Sequence, residues 1–235
     1  MGLGVGNPSP WPSLVTVPRP SISPSFMTDR VWLWPLRSSP LLPDAPGRFG
    51  APRRHDVHTG VDLYCEMNTE VLACEEGHVT NIVWFTGQHA PSPNGSPSSW
   101  WNDTKAVLVE SDRQVIVYGE LDPSLIFVEV GHRVSRGQVL GRIGVSVLRT
   151  NKGRPMVMLH LECLRRGASE PVWWLDANQR PSELIDPTPF LTEAATSCLG
   201  LPSVPVFDLR SYHGEFVDPA APVKESANWD VWKAL

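Results

Sequence analysis

The sequence predicts an all-β protein, a small antiparallel β-sandwich or barrel with long Pro-rich loops. Three observations predict it. Short apolar-polar alternations recur along the chain, bounded by glycine- and proline-containing turns, which is the signature of half-buried strands. Helical periodicity is nearly absent from the same stretches. Proline is abundant, 24 of 235 residues, about twice the usual share; it removes backbone donors and breaks helices and central strands, so much of the chain must be loop or extended backbone.

Taken in order, Val31-Trp32-Leu33-Trp34-Pro35 predicts a short aromatic-aliphatic strand stopped by proline, followed by Pro-rich coil to Pro46. Residues 47–54, Gly-Arg-Phe-Gly-Ala-Pro-Arg-Arg, form a glycine-flanked turn. From Val57 the pattern has period two, with Val61 and Leu63 facing one side and Asp62 and Tyr64 the other. Residues 71–74 and 78–85 predict two strands about a Glu75-Glu76-Gly77 turn. Residues 86–104 are an insertion rich in Gly, Pro, Ser and Asn that carries Trp100-Trp101. A hairpin follows, 105–111 and 114–120 about Asp112-Arg113, and then 121–127 as a turn with little regular structure. Residues 130–134 and 137–144 are short glycine-punctuated strands, 149–154 a polar loop, and 155–164 the last strong strand. Trp173-Trp174 and Asp186-Pro187-Thr188-Pro189-Phe190 close the domain, and no element is predicted in the tail from about Thr192. The organisation expected is a disordered Pro/Ser leader over 1–30, one domain over 31–191 and a C-terminal extension over 192–235.

Composition excludes several classes. A net charge of −5 leaves no basic footprint for nucleic acid or anionic lipid. No apolar run approaches the ~20 residues that span a bilayer. The N-terminal stretch lacks the charged and apolar regions of a signal peptide, so a soluble chain, compatible with the cytoplasm, is expected. Cys65, Cys74, Cys163 and Cys198 show no Cys-x-x-Cys spacing. They read as buried free thiols, since a Cys65–Cys74 bridge would need an oxidising compartment.

His58, Asp62 and His160 are the candidate metal ligands. In the last strand Val157, Leu159, Leu161 and Cys163 alternate as a core face, which leaves Met158, His160 and Glu162 on the opposite face. Asp62 lies opposite Val61 and Leu63, and His58 precedes that strand with Gly60 permitting the turn that brings both donors together. Two imidazoles and a carboxylate make a zinc donor set with a fourth position open. A histidine met singly in a strand is more often exposed or hydrogen-bonded, and His55, His78, His89, His132 and His213 are read that way.

Five ordered matches resemble the lysostaphin-like zinc endopeptidases, which cut peptidoglycan cross-bridges or stem peptides. Arg48-Phe49-Gly50 with His58-Thr59-Gly60-Val61-Asp62-Leu63 resembles their first motif. Thr69-Glu70-Val71-Leu72-Ala73 with Glu76-Gly77-His78-Val79, then residues 130–141, are similar to their following strands and glycine-punctuated hairpin. Leu159-His160-Leu161-Glu162 resembles the end of their His-x-His strand, and residues 186–190 their usual exit. The resemblance covers about residues 32–191 and implies the duplicated hybrid motif form of a β-sandwich or barrel. It places His58, Asp62 and His160 on the zinc-ligand positions, implying Zn2+ as cofactor and a peptide or peptidoglycan-like partner.

The same resemblance implies two further histidines beside the metal, and here those positions read Met158 and Glu120. A thioether has no proton to give. A carboxylate beside metal-bound water can act as a general base, so Glu120 is open to three roles: base, acceptor for a ligand histidine, or solvent-facing replacement. The chain is therefore either a zinc metallopeptidase-like hydrolase or a non-catalytic, zinc-stabilised binding module using the same groove. Trp100 and Trp101 are candidate substrate-stacking residues, with anchoring of the insertion as the alternative. Residues 130–141 also resemble the hairpin of biotinyl and lipoyl carriers, but the lysine such a hairpin requires is absent.

Overall fold

The computed structural model describes residues 31–38, 40–93, 101–144, 157–199 and 206–207. Contacts divide the chain into Met1–Arg30 and Val31–Leu235, and every described residue belongs to the second unit. Its strands are β1 (Leu42–Pro43), β2 (Val61–Tyr64), β3 (Glu70–Leu72), β4 (Gly77–Thr86), β5 (Thr104–Glu110) and β6 (Gln114–Ile126). They continue as β7 (Arg133–Val134), β8 (Val139–Ile143), β9 (Met158–Arg165) and β10 (Leu184–Ile185), then helix α1 (Thr188–Leu199) and β11 (Val206–Phe207). The described domain is thus an all-β fold with one short helix.

One sheet organises the domain, in the order β10-β9-β6-β5-β4-β7. Strand β2 joins β9 on the edge it shares with β10, while β8 joins the far half of β6 and carries β3. These main-sheet pairings are antiparallel, whereas the separate β1–β11 pair is parallel. Alternation sends side chains to two cores. Val107, Val109, Ile116, Tyr118, Leu159, Leu161 and Cys163 enter the larger one with Trp32, Trp34, Leu140 and Ile143. Ala106, Leu108, Val115, Val117 and Leu164 face the other way, against Val57, Trp174 and Leu184. The central strands are therefore apolar on both faces, and β9 is buried at every position from Met158 to Leu164. The face predicted to be polar, Met158-x-His160-x-Glu162, is covered rather than open, because the segments carrying Val57 and Trp174 pack over it.

Three elements differ from expectation, each for a local reason. Residues 31–35 form no strand, although Trp32 and Trp34 are buried. They run beside β3 on single bonds, Leu33 N–H to the Cys74 carbonyl and Leu72 N–H to that of Pro35. Residues 121–126 are not a turn but the continuation of β6. A bulge hides this: Val107 pairs with Tyr118 and Lys105 with Leu121, so Gly119 and Glu120 together oppose Ala106. Tyr118 and Leu121 consequently share one core although three apart, which breaks the period-two pattern. No element is predicted in the tail from Thr192, but α1 runs into it and buries Leu191, Ala194 and Ala195. Asp186 caps it, its Oδ1 accepting the Thr188 N–H at 2.8 Å, with Pro187 in the first-turn position that needs no donor.

Candidate metal centre

Strand register brings the predicted ligands together. Asp62 on β2 pairs with His160 on β9, and His160 pairs on its other side with Gly119 on β6. Directly opposed residues point to one face, here the face of the smaller core. His58 arrives from the turn before β2, where its backbone N–H donates to the Ala51 carbonyl and the Gly50 N–H donates to its own carbonyl. All three side chains are buried, with His58 at 1% exposure, Asp62 at 5% and His160 at 7%.

Their inner atoms form a nearly equilateral triangle. Nε2 of His58 lies 3.1 Å from Nδ1 of His160 and 3.1 Å from Oδ1 of Asp62, and the third edge, His160 Nδ1 to Asp62 Oδ1, is 3.0 Å. Among the described residues these three are the group whose donor atoms converge in this way. The outer nitrogens fix what the inner ones present. Nδ1 of His58 lies 2.9 Å from the Arg48 carbonyl, which only accepts, so Nδ1 carries the hydrogen and Nε2 turns a lone pair inward. Nε2 of His160 lies 3.1 Å from Oε1 of Glu162, so it too is the donor and Nδ1 faces inward. With Nδ1 of His160 unprotonated, three acceptors meet at one point, an arrangement that suits a cation. Zinc fits: bonds of about 2.0–2.1 Å around a tetrahedral centre separate donors by about 3.3 Å, a few tenths of an ångström from the edges seen.

The electrostatics agree with such a demand. Burial lowers the pKa of His58 and outweighs the opposing charge of Asp62, favouring the neutral, metal-binding imidazole. Burial also pulls on His160, but hydrogen bonds to Asp62 and Glu162 and their charges overcome it and raise the group to about 9. Burial would raise Asp62, yet His58, Arg53 and the hydrogen-bonding histidines hold its carboxyl well below the usual range. Arg53 donates from Nη2 to Asp62 Oδ2 at 2.9 Å, which leaves Oδ1 for the triangle.

Glycine matters twice here, for space rather than for conformational freedom. A Cβ on Gly60 would stand 2.5 Å from the Leu161 carbonyl oxygen and 2.8 Å from His160 Nε2. Gly60 does not adopt the left-handed backbone that an enabling-turn role suggests; its bare backbone is what lets the first motif lie against His160. A Cβ on Gly119 would meet the Phe85 ring at 2.6 Å, and that ring packs on His160 with centroids 5.2 Å apart.

The other predicted site residues fall outside the triangle. Glu120 is 3% exposed, not solvent-facing. Its Oε2 accepts the hydroxyl hydrogens of Thr86 at 3.0 Å and Thr104 at 2.9 Å, the paired residues that flank the insertion. The acceptor at the outer nitrogen of His160 is Glu162. Glu120 also holds φ at +66°, in the left-handed region that a non-glycine residue rarely adopts. Met158 is buried at the start of β9, paired with Tyr64. Trp101 is half-buried, and Trp100 lies outside the described residues. His55, His78, His89 and His132 are exposed, and His213 lies outside the described residues. Sequence reasoning missed Arg53, Thr59 and Glu162 as supports of the ligands. For Glu162 the signal was present, two residues past His160 on one strand face; the other two could not be read from spacing.

The antiparallel β-fold thus buries a convergent His, Asp, His set of a kind that could hold a metal ion. Residues 56–171 match Peptidase family M23. Over these residues the chain belongs to that family, whose peptidases are generally zinc-dependent. No curated protein matches the chain. Similar solved structures include the catalytic domain of the antimicrobial peptidase lysostaphin from Staphylococcus simulans, 20% identical, with 62% of this chain and 86% of that chain covered and a TM-score of 0.40. The cbpa protein of L. salivarius REN is 21% identical over 71% and 98%, with a TM-score of 0.43. Csd3 of Helicobacter pylori is 22% identical over 68% and 37%, with a TM-score of 0.38. The family is shown by the sequence match over residues 56–171. No helix among the described residues is long and apolar enough to cross a membrane.

Proposed function

We propose that this peptidase-like protein binds one zinc ion through His58, Asp62 and His160 and takes a peptide or peptidoglycan-like ligand beside it. The observation that carries the reading is the triangle of three inward acceptors whose outer nitrogens are already committed to the Arg48 carbonyl and Glu162. Zinc on three protein ligands supplies a Lewis acid and lowers the pKa of a bound water towards ~7. The chain's own residues hold and orient: Arg53 keeps one carboxylate oxygen of Asp62 occupied, and Phe85 and Gly60 enclose His160.

By resemblance, the groups that would move protons stand at Met158 and Glu120. Met158 has none to move. The Glu120 carboxylate is engaged by Thr86 and Thr104, as suits a clasp at the base of the insertion. These facts favour a zinc-stabilised binding module. One observation favours a hydrolase with Glu120 as base: its left-handed backbone, a kind of strain that clusters at functional sites. Incubating the zinc-loaded protein with peptidoglycan and with a pentaglycine peptide, beside Glu120→Ala, separates the two. Turnover lost in the variant establishes the hydrolase. Bound zinc with no turnover in either protein establishes the binding module.

A further inference from the structure

Glu162 is a buried carboxylate with an unusual division of partners. It is 2% exposed. Its Oε1 accepts two hydrogens, from the Thr59 hydroxyl at 2.5 Å and from His160 Nε2 at 3.1 Å. Among the described residues its Oε2 is buried with no hydrogen-bond partner. A buried polar atom left bare in a folded protein needs an explanation. Both donors converge on the oxygen that faces the histidine.

Thr59 is equally specific. It lies between His58 and Asp62 in sequence, yet its hydroxyl reaches across to β9 rather than capping its own turn. The Thr59–Glu162 bond thus ties the two ligand-bearing segments together at the outer edge of His160. A carboxylate with one oxygen unsolvated is a strong acceptor, and a carboxylate on the outer nitrogen of a ligand imidazole fixes its tautomer and raises its basicity towards a metal.

We infer that Thr59 and Glu162 form a positioning pair that locks His160 with Nε2–H outward and Nδ1 towards the metal, and so sets the affinity of the site. The inference rests on the proposed zinc site and deepens it. Neither residue touches the triangle's inner atoms; both act through His160.

The test measures zinc affinity of the full chain by competition with a chelating dye, for the parent, Glu162→Gln, Thr59→Val and Thr59→Ser. Glu162→Gln keeps shape and removes charge, and weakens zinc binding by about 10-fold or more, within the ~10–100-fold span of such outer partners. Thr59→Val, at a half-buried loop position, keeps the shape but removes the donating hydroxyl and weakens zinc binding less but in the same direction, and Thr59→Ser restores it. The His160 Nε2–H proton resonance, held downfield by the charged acceptor, moves upfield in Glu162→Gln, which a merely structural role would not require. Equal affinities with an unmoved resonance overturn the pair while leaving the zinc site standing. A parent that takes up no zinc overturns both.

Discussion

Asp62 and His160 face each other as a register pair of β2 and β9, with Oδ1 and Nδ1 3.0 Å apart. The pairing of two strands, rather than a flexible loop, therefore sets the spacing of two of the three candidate ligands. A site built on strands is held more precisely than one built on loops, and the third ligand, His58, is joined to them by contacts of 3.1 Å.

Because Gly60 lies against His160, enlarging it disturbs the site without altering any ligand. Gly60→Ala places a methyl group 2.8 Å from His160 Nε2 and 2.5 Å from the Leu161 carbonyl oxygen. Overpacking of this kind costs about 1–3 kcal/mol. Urea unfolding of the variant shows that loss, together with reduced zinc uptake; an unchanged midpoint and full uptake contradict the packing described.

Metal removal destabilises the fold if the triangle holds a cation. Zinc at 100 times its dissociation constant adds about 2.7 kcal/mol to the native state. A chelator should lower the parent's melting temperature while leaving that of His58→Ala unchanged. Equal shifts in both would place the metal elsewhere.

Glu120 combines a hydroxyl clasp with a strained backbone, and two substitutions separate these. Glu120→Ala loses the bonds to Thr86 and Thr104 and keeps φ at +66°. Glu120→Gly loses the same bonds but relieves a left-handed penalty of about 1–2 kcal/mol. The glycine variant should be the more stable of the two by about 1 kcal/mol in chemical denaturation. A reversed order would show that the backbone there is not strained.

The thiols provide an independent check on the core. Cys65, Cys74 and Cys163 are buried, and burial pushes each thiol up to about 12, so they stay protonated at pH 8. Cys198, on α1, is exposed. Ellman's reagent at pH 8 should find one rapidly reacting thiol in the native protein and four after denaturation, the full cysteine count. Two or more fast thiols in the native state would contradict the packing of β3 and β9.

Much of this was legible in the residues themselves, for physical reasons. Val61-Asp62-Leu63 and Leu159-His160-Leu161 alternate strictly, so period two alone put Asp62 and His160 off the apolar face, and the register then opposed them. Alternation could not reveal that this second face is also covered, because Val57 packs back from ahead of β2 and Trp174 from coil beyond β9, and strand period says nothing of such long-range packing. Nor could it follow β6 through its bulge, where Gly119 and Glu120 shift the phase. The helix after Asp186-Pro187 carried a start signal in its capping residue. By resemblance that stretch reads as an exit from the domain instead.

Metal analysis of the purified full chain beside His160→Ala decides whether the triangle holds zinc. About one zinc per parent chain and close to none in the variant is the expected result. A parent without zinc, or a variant that keeps its full complement, would contradict it.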